Sequence, residues 1–391
     1  MKKILIFSTA YLPMVGGAEI AVKEITDRIG EMEFDMITLR FSSRWPKFER
    51  LGNINIYRLG FFTNNPTMAD LVKWPLKLNK YFFPFLACAK ACRLHRRNKY
   101  DGLWAMMAAF AGFAAMFFKI RHKNVPYLLT LQEGDPIAEI KKKVFFVFPL
   151  FKRIFTKADF IQVISNYLVG FAREMGYRGA LEVVPNGVDA EKFKVESLKF
   201  KVEELKNELK IADFEKIIIT ASRLVKKNAV DDIIKSLVYL PDNVKLLVLG
   251  DGPDRKMLEN LAVELKLDGR IIFKGAYDND DLPKYLAVSD VFVRPSLSEG
   301  QGIAFLEAMA AGVPVIATSV GGIVDFLKDG ETGLFCQVDN PHSIAEKIRQ
   351  YLDNKELSKK IIFNAKNLVV KNYNWDLIAV KMRNIFNNII K

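Results

Sequence analysis

Short runs of β-branched and aromatic residues recur along the chain, each followed by a stretch in which apolar positions return every three or four residues. That alternation predicts strands and helices of parallel α/β sheets. In the first half the runs predict strands over 3–7, 34–39, 54–59, 102–104, 127–131, 160–164 and 181–184. After the first of them, Ala18, Ala21, Val22, Ile25 and Ile29 share one helical face, and Gly30 is placed to close that helix in a left-handed cap. From Glu191 to Asp213 the chain is charged and poor in strand formers, so a junction between domains is expected there. The pattern then restarts, with strands over 217–221, 244–249, 271–273, 291–293, 315–317 and 334–336. The tail from Trp375 to Ile390 is predicted as an amphipathic helix packing back on the first domain. The expected division is therefore 1–190, a junction over 191–213, a second domain over 214–374 and a closing helix over 375–391.

Composition supports two cores, since half of the 391 residues are hydrophobic and 30 are Phe. Leu103–Phe118 carries no charge, but a membrane span needs about 20 apolar residues, so a buried core helix is expected. The opening MKKILIFSTAYLP has too short an apolar run for a secretion signal and reads as a buried first strand. With only three cysteines and no disulfide framework, a cytoplasmic protein is expected. Charge changes the picture more. Residues 1–190 hold 28 Lys and Arg against 16 Asp and Glu, whereas the remainder is nearly balanced. A net +12 on one half points to an anionic partner such as a membrane surface or a phospholipid-linked acceptor. No recognised nucleic-acid motif accompanies it, so no nucleic-acid partner is expected.

The most informative segment is Pro295–Pro314, PSLSEGQGIAFLEAMAAGVP. A predicted strand runs into a glycine-containing loop, and a helix begins near Gly302. In a parallel sheet such a loop lies at the carboxyl ends of the strands, and the helix start offers N–H groups and a partial positive charge to an anion. Glu299 and Glu307, seven residues intervening, are carboxylates suited to accept hydrogen bonds from vicinal sugar hydroxyls. Taken alone, both are also ordinary helix-start carboxylates, and Gly16–Gly17 is an ordinary turn.

The order of motifs resembles the family 4, group 1 retaining glycosyltransferases, whose GT-B fold has two Rossmann-like domains. The resemblance covers the chain: Gly16-Gly17-Ala18-Glu19, 184–189 (VPNGVD), 222–225 (SRLV), 250–254 (GDGPD), the Glu299/Glu307 pair, Gly321-Gly322 and 329–333 (DGETG). It implies a hexosyltransferase that takes a sugar from a UDP or GDP sugar, as in polysaccharide biosynthesis, and needs no metal or other cofactor. It further implies that Glu307 binds the nucleotide ribose, that Glu299 faces the transferred sugar and that the N–H groups of Gln301, Gly302 and Ile303 hold the diphosphate. Arg223 would neutralise that diphosphate, Tyr277 would line the base pocket, and Gly16 and Gly17 would let backbone approach the donor closely.

Two positions depart from the family pattern. Where a Lys usually follows the Arg by five positions, this chain has Asn228, and Lys227 is expected to supply the charge. In 130–134 (TLQEG), Gln132 replaces the usual His, so Gln132 and Glu133 are expected on the acceptor side without a shuttling imidazole. Two other functions fit the same residues: a nucleotide-sugar epimerase, and a sugar-nucleotide binding protein without turnover. Lys141, Lys142 and Lys143 precede a Phe-rich run, which reads equally as an interfacial segment of a peripheral membrane protein and as a buried helix. Cys88, Cys92 and His95 at helical spacing are expected to be packing residues, and Asp278–Asp281 solvated helix-start carboxylates.

Overall fold

The computed structural model describes residues 1–64, 70, 73–193 and 199–390. Two compact units emerge: Met1–Asn186 together with Trp375–Lys391, and Gly187–Asn374. The crossing at Asn186–Gly187 lies ahead of the charged stretch 191–213, part of which lies outside the described residues.

The first unit holds an eight-stranded sheet. Its strands are β1 (Lys2–Phe7), β2 (Met32–Leu39), β3 (Phe48–Leu51), β4 (Ile54–Leu59), β5 (Gly102–Met106), β6 (Tyr127–Leu131), β7 (Phe160–Val163) and β8 (Ala180–Val183). They run in the order β3-β4-β2-β1-β5-β6-β7-β8. All neighbours are parallel except β3, which pairs antiparallel with β4 and has no counterpart among the predicted strands. Its sequence Phe-Glu-Arg-Leu alternates between exposed and half-buried positions, so it lacks the apolar run that betrays a buried strand. The inner strands do carry that run: Ile4, Leu5, Ile6 and Phe7 are all fully buried.

Two expectations need correction here. Leu103–Phe118 is not one helix: it is β5, a left-handed turn at Met107 (φ 71°), and a helix over Phe110–Arg121. Continuous apolarity cannot separate a buried strand followed by a buried helix from one long helix. Gly30 does not cap the helix Gly17–Asp27, which stops at Arg28 in right-handed geometry. The closing helix Trp375–Ile389 packs into the first unit, where Trp375, Ile378, Met382 and Phe386 join the core under β1, β2 and β5.

The second unit holds a six-stranded, wholly parallel sheet. Its strands are β9 (Lys216–Ala221), β10 (Val244–Leu249), β11 (Ile271–Gly275), β12 (Val291–Arg294), β13 (Val315–Thr318) and β14 (Leu334–Cys336). The order is β11-β10-β9-β12-β13-β14, so the direction of winding reverses between β9 and β12. Loops leaving adjacent strands at such a point turn to opposite faces and leave a crevice at the carboxyl ends, the place where doubly wound folds bind ligands. In the first unit the same reversal falls between β1 and β5. No helix among the described residues is long and apolar enough to cross a membrane.

Candidate functional site

At the reversal point of the second unit, the loop after β12 meets the loop after β9. Leu297 N–H donates to the carbonyl of Lys227 at 2.7 Å, which seats Pro295–Gly302 beside the turn Lys226–Asn228. That turn is built around Asn228. Its buried side chain donates through Nδ2 to the carbonyl of Arg223 at 2.6 Å, so the departure from the family's Lys serves the loop's own geometry. Lys226 is paired with Asp231 at 3.1 Å, Lys227 is half-buried, and Arg223 is exposed.

The helix Ile303–Ala311 starts at Gly302, whose φ of 86° is a left-handed conformation costly to any residue with a Cβ. A Cβ there would also lie 2.6 Å from the Phe305 ring. In the first turn Phe305 N–H donates to the Gly302 carbonyl at 3.1 Å, the N–H groups of Ile303 and Ala304 ahead of it have no intrahelical acceptor, and the helix axis is aimed by Phe305 and Leu306, both fully buried in the core. Gln301 is buried just ahead of it. Glu307 lies one turn in. Burial pushes its carboxyl up to about 7, with Lys192 pulling the other way. Tyr277, after β11, is half-buried, and burial together with Glu307 raises its hydroxyl well above the ordinary tyrosine value.

Glu299 is buried and doubly held. One carboxylate oxygen is in an ion pair with Arg294 Nη2, and the other accepts from Gly300 N–H at 3.1 Å. Its carbonyl accepts from Gly322 N–H at 3.0 Å. Gly321 comes so close that a Cβ would sit 2.0 Å from that carbonyl oxygen, at a φ of +55°. This contact is the physical reason for the Gly321-Gly322 pair. Arg294 was not among the expected site residues, although a charge ending a strand of otherwise apolar residues, Val-Phe-Val-Arg, is a signal available in the sequence.

In the first unit, Gly16 and Gly17 open the helix Gly17–Asp27, and the Glu19 carboxylate reaches back to the N–H of Gly16 in the manner of a capping box. Burial lifts Glu19 to about 7. Gln132 and Asn186 exchange amide hydrogen bonds at 3.1 and 3.3 Å. Glu133 is buried, accepts from Ala108 N–H at 2.7 Å, and leaves its second carboxylate oxygen without a partner beside the equally unpartnered Tyr127 hydroxyl. Burial raises it to about 7 against the pull of the Ala108, Glu133 and Gln132 N–H groups. Thus Glu133 ties the left-handed turn at Met107 to the end of β6.

The remaining candidates fall elsewhere. Cys88 and Cys92 pack against the first core, where burial and the neighbouring Cys92 push the Cys88 thiol up to about 12. His95 accepts from Tyr100 N–H at 3.0 Å. Among the described residues no cluster of His, Cys, Asp and Glu could hold a metal ion. Asp278 caps the turn before the helix Leu282–Ala287.

Two family models match. Residues 15–192 match glycosyltransferase family 4 and residues 201–388 match glycosyl transferases group 1. An uncharacterized glycosyltransferase, MJ1607, of Methanocaldococcus jannaschii is 32% identical over 208 residues, 53% of each chain. A GDP-mannose-dependent alpha-(1-6)-phosphatidylinositol monomannoside mannosyltransferase of Mycobacterium tuberculosis is 28% identical over 242 residues, covering 59% of this chain and 62% of that one. The chain thus spans about half of the first of these relatives and three fifths of the second. Among solved structures, sucrose-phosphate synthase from Thermosynechococcus elongatus shares the fold over 99% of both chains, with a TM-score of 0.83 at 21% identity. Both units, their reversal points and the matched models lead to one assignment: the chain belongs to the family 4, group 1 glycosyltransferases of GT-B fold.

Proposed function

We propose that this chain transfers a hexosyl group from a nucleoside diphosphate sugar, with retention of anomeric configuration, to a lipid-linked acceptor at an anionic membrane face. The donor part rests on the second unit. There the start of the helix Ile303–Ala311 suits the diphosphate, Glu307 the ribose and Glu299 the sugar, with Arg223 and Lys227 as cations for the departing phosphate. In the step itself the bond between the anomeric carbon and the β-phosphate oxygen breaks. The acceptor oxygen bonds to that carbon on the same face, and its proton passes to the leaving diphosphate. Retention is supported by Gln132, which stands where an imidazole base would stand and is engaged with Asn186.

The observation that carries the acceptor class is two basic, acid-free segments of the first unit that each expose aromatic side chains. Residues 71–100 hold eight Lys and Arg and no Asp or Glu, and residues 140–157 hold six and none. Along the helix Leu76–Asn98, Lys77, Tyr81, Phe85, Arg93 and Arg96 are exposed in one stripe, with Phe85 64% accessible and basic residues at both ends. Phe145 and Phe146 are 71% and 96% accessible, whereas Phe151 and Phe155 in the helix Phe148–Thr156 are core. The Phe-rich run is therefore half exposed and half core. Lys141 and Lys143 are paired with Glu174 and Asp135, which leaves the aromatic residues and Lys142 to meet head groups. The mannosyltransferase relative, by its name, acts on a phosphatidylinositol mannoside.

Co-sedimentation with phosphatidylcholine vesicles containing or lacking phosphatidylglycerol tests the acceptor class. The wild type should bind the anionic vesicles, and F85S/F145S/F146S should lose most of that binding at low and high salt alike. K141E/K142E/K143E should lose it mainly at low salt. Equal sedimentation of wild type and both variants would remove the lipid-linked acceptor from the proposal.

A further inference from the structure

Arg294 closes β12, where Val291, Phe292 and Val293 are fully buried apolar residues, and it is itself only 8% exposed. A guanidinium in that position persists only if its charge and its N–H groups are answered. Nη2 is in the ion pair with the Glu299 carboxylate, Nε donates to Ser296 Oγ at 3.2 Å, and the guanidinium carbon lies 5.1 Å from the centre of the Phe305 ring. Ser296 is in turn fixed, because its carbonyl accepts from the Thr318 hydroxyl at the end of β13. Tyr277 faces the guanidinium, and Glu307 in turn faces Tyr277.

We propose that Arg294 is a positioning residue for the transfer reaction, orienting the Glu299 carboxylate toward the sugar. It acts through Glu299 and not by touching the donor itself, so the inference rests on the reading that Glu299 faces the transferred sugar. The backbone of Glu299 is set independently by Gly321 and Gly322, so only the direction of the side chain depends on the arginine. Pairing with a guanidinium favours the ionised form of a carboxylate, the form that accepts from sugar hydroxyls and has no proton to give. Burial lowers the Arg294 guanidinium to about 10, which leaves it cationic at neutral pH.

The test measures donor turnover as hydrolysis of UDP-glucose, UDP-N-acetylglucosamine and GDP-mannose, taking whichever the wild type turns over fastest, from about pH 5 to 9. R294M should lower kcat by about 30-fold or more while KM for the donor and Kd for the free nucleoside diphosphate change less than about threefold. Its kcat should also fall on the acid side, where the uncompensated buried Glu299 takes up a proton, and that limb should be missing from the wild type. Adding E299Q to R294M should cost little more, because the pair acts as one unit. R294K should restore the flat pH profile but only part of the rate, since one ammonium cannot serve Glu299 and Ser296 together. A folded R294M with wild-type kcat and pH profile overturns the proposal, as does full additivity with E299Q. If R294M does not fold, R294K decides, and wild-type kcat in R294K overturns the proposal. A wild type that turns over none of the three donors is a separate failure, that of the functional reading itself.

Discussion

Each unit carries a buried glutamate in a loop after a strand on the same side of its reversal point, β12 at the reversal itself in the second unit and β6 one strand further out in the first, yet the two carboxylates are treated in opposite ways. Glu299, after β12, is given a cation, Arg294. Glu133, after β6, is given backbone N–H groups and no cation, and burial lifts it to about 7. The difference teaches what each loop is built to do. A carboxylate paired with a buried arginine stays charged and keeps its remaining lone pairs for a polar ligand. One held by amides and left half unpartnered serves instead as a brace for the turn at Met107.

The comparison breaks most visibly at Glu299. Glu299→Ala should reduce turnover by about 3 kcal/mol in the barrier, a factor above 100, with a much smaller change in donor affinity. Single-turnover kinetics at saturating donor check it. Arg223→Ala comes next, with an expected cost of about 2 to 4 kcal/mol in the barrier as a charge-stabilising donor is lost. An unchanged rate at saturating substrates removes Arg223 from the mechanism.

Glu307→Ala should weaken nucleotide-sugar binding by about 1.5 to 3 kcal/mol with kcat largely kept, since a ribose contact is made equally in ground and transition states. Its pH dependence has a definite sign. With the free carboxyl raised to about 7, the ionised acceptor predominates only above that value. Donor affinity should therefore fall as pH drops below about 7, and Glu307→Gln should flatten that slope in a calorimetric titration.

The smallest effect concerns stability. Because Glu133 has a folded value of about 7, above that of an unfolded glutamate, the folded state holds its proton more tightly. Its contribution is therefore intact below the unfolded value and declines as pH rises through about 7. Glu133→Gln should be at least as stable as wild type at pH 8 and show a shallower loss of melting temperature between pH 5 and 8. A steeper loss in the variant contradicts the brace with a neutral carboxyl.

Much of this architecture is legible in the residues themselves. Thirteen of the fourteen strands among the described residues appear as apolar runs, and the helix start at Gly302 follows from the glycine and the apolar residues after it. What is not legible has physical causes. β3 is an edge strand with no buried run, so its pairing is decided by β4 and not by its own composition. The split of Leu103–Phe118 turns on one left-handed residue, Met107, that no propensity favours. The Arg294–Glu299 pair spans a loop whose path depends on Gly321 passing close to Glu299, a contact with another strand's loop that spacing alone does not reveal. Likewise Asn228 reads as a lost lysine in the sequence and is in the structure the hub of its own turn.

The central claim is that the loop and helix start after β12 hold a nucleotide sugar. Isothermal titration of UDP-glucose, GDP-mannose and their free nucleoside diphosphates into wild type, E299Q and E307Q tests it most directly. The account predicts that the wild type binds at least one nucleotide sugar and that E307Q weakens both the sugar nucleotide and the free nucleotide by about tenfold or more. E299Q should leave the free nucleotide unaffected and change nucleotide-sugar affinity far less than E307Q does. Binding that is equal in all three proteins would place the donor elsewhere and contradict the account.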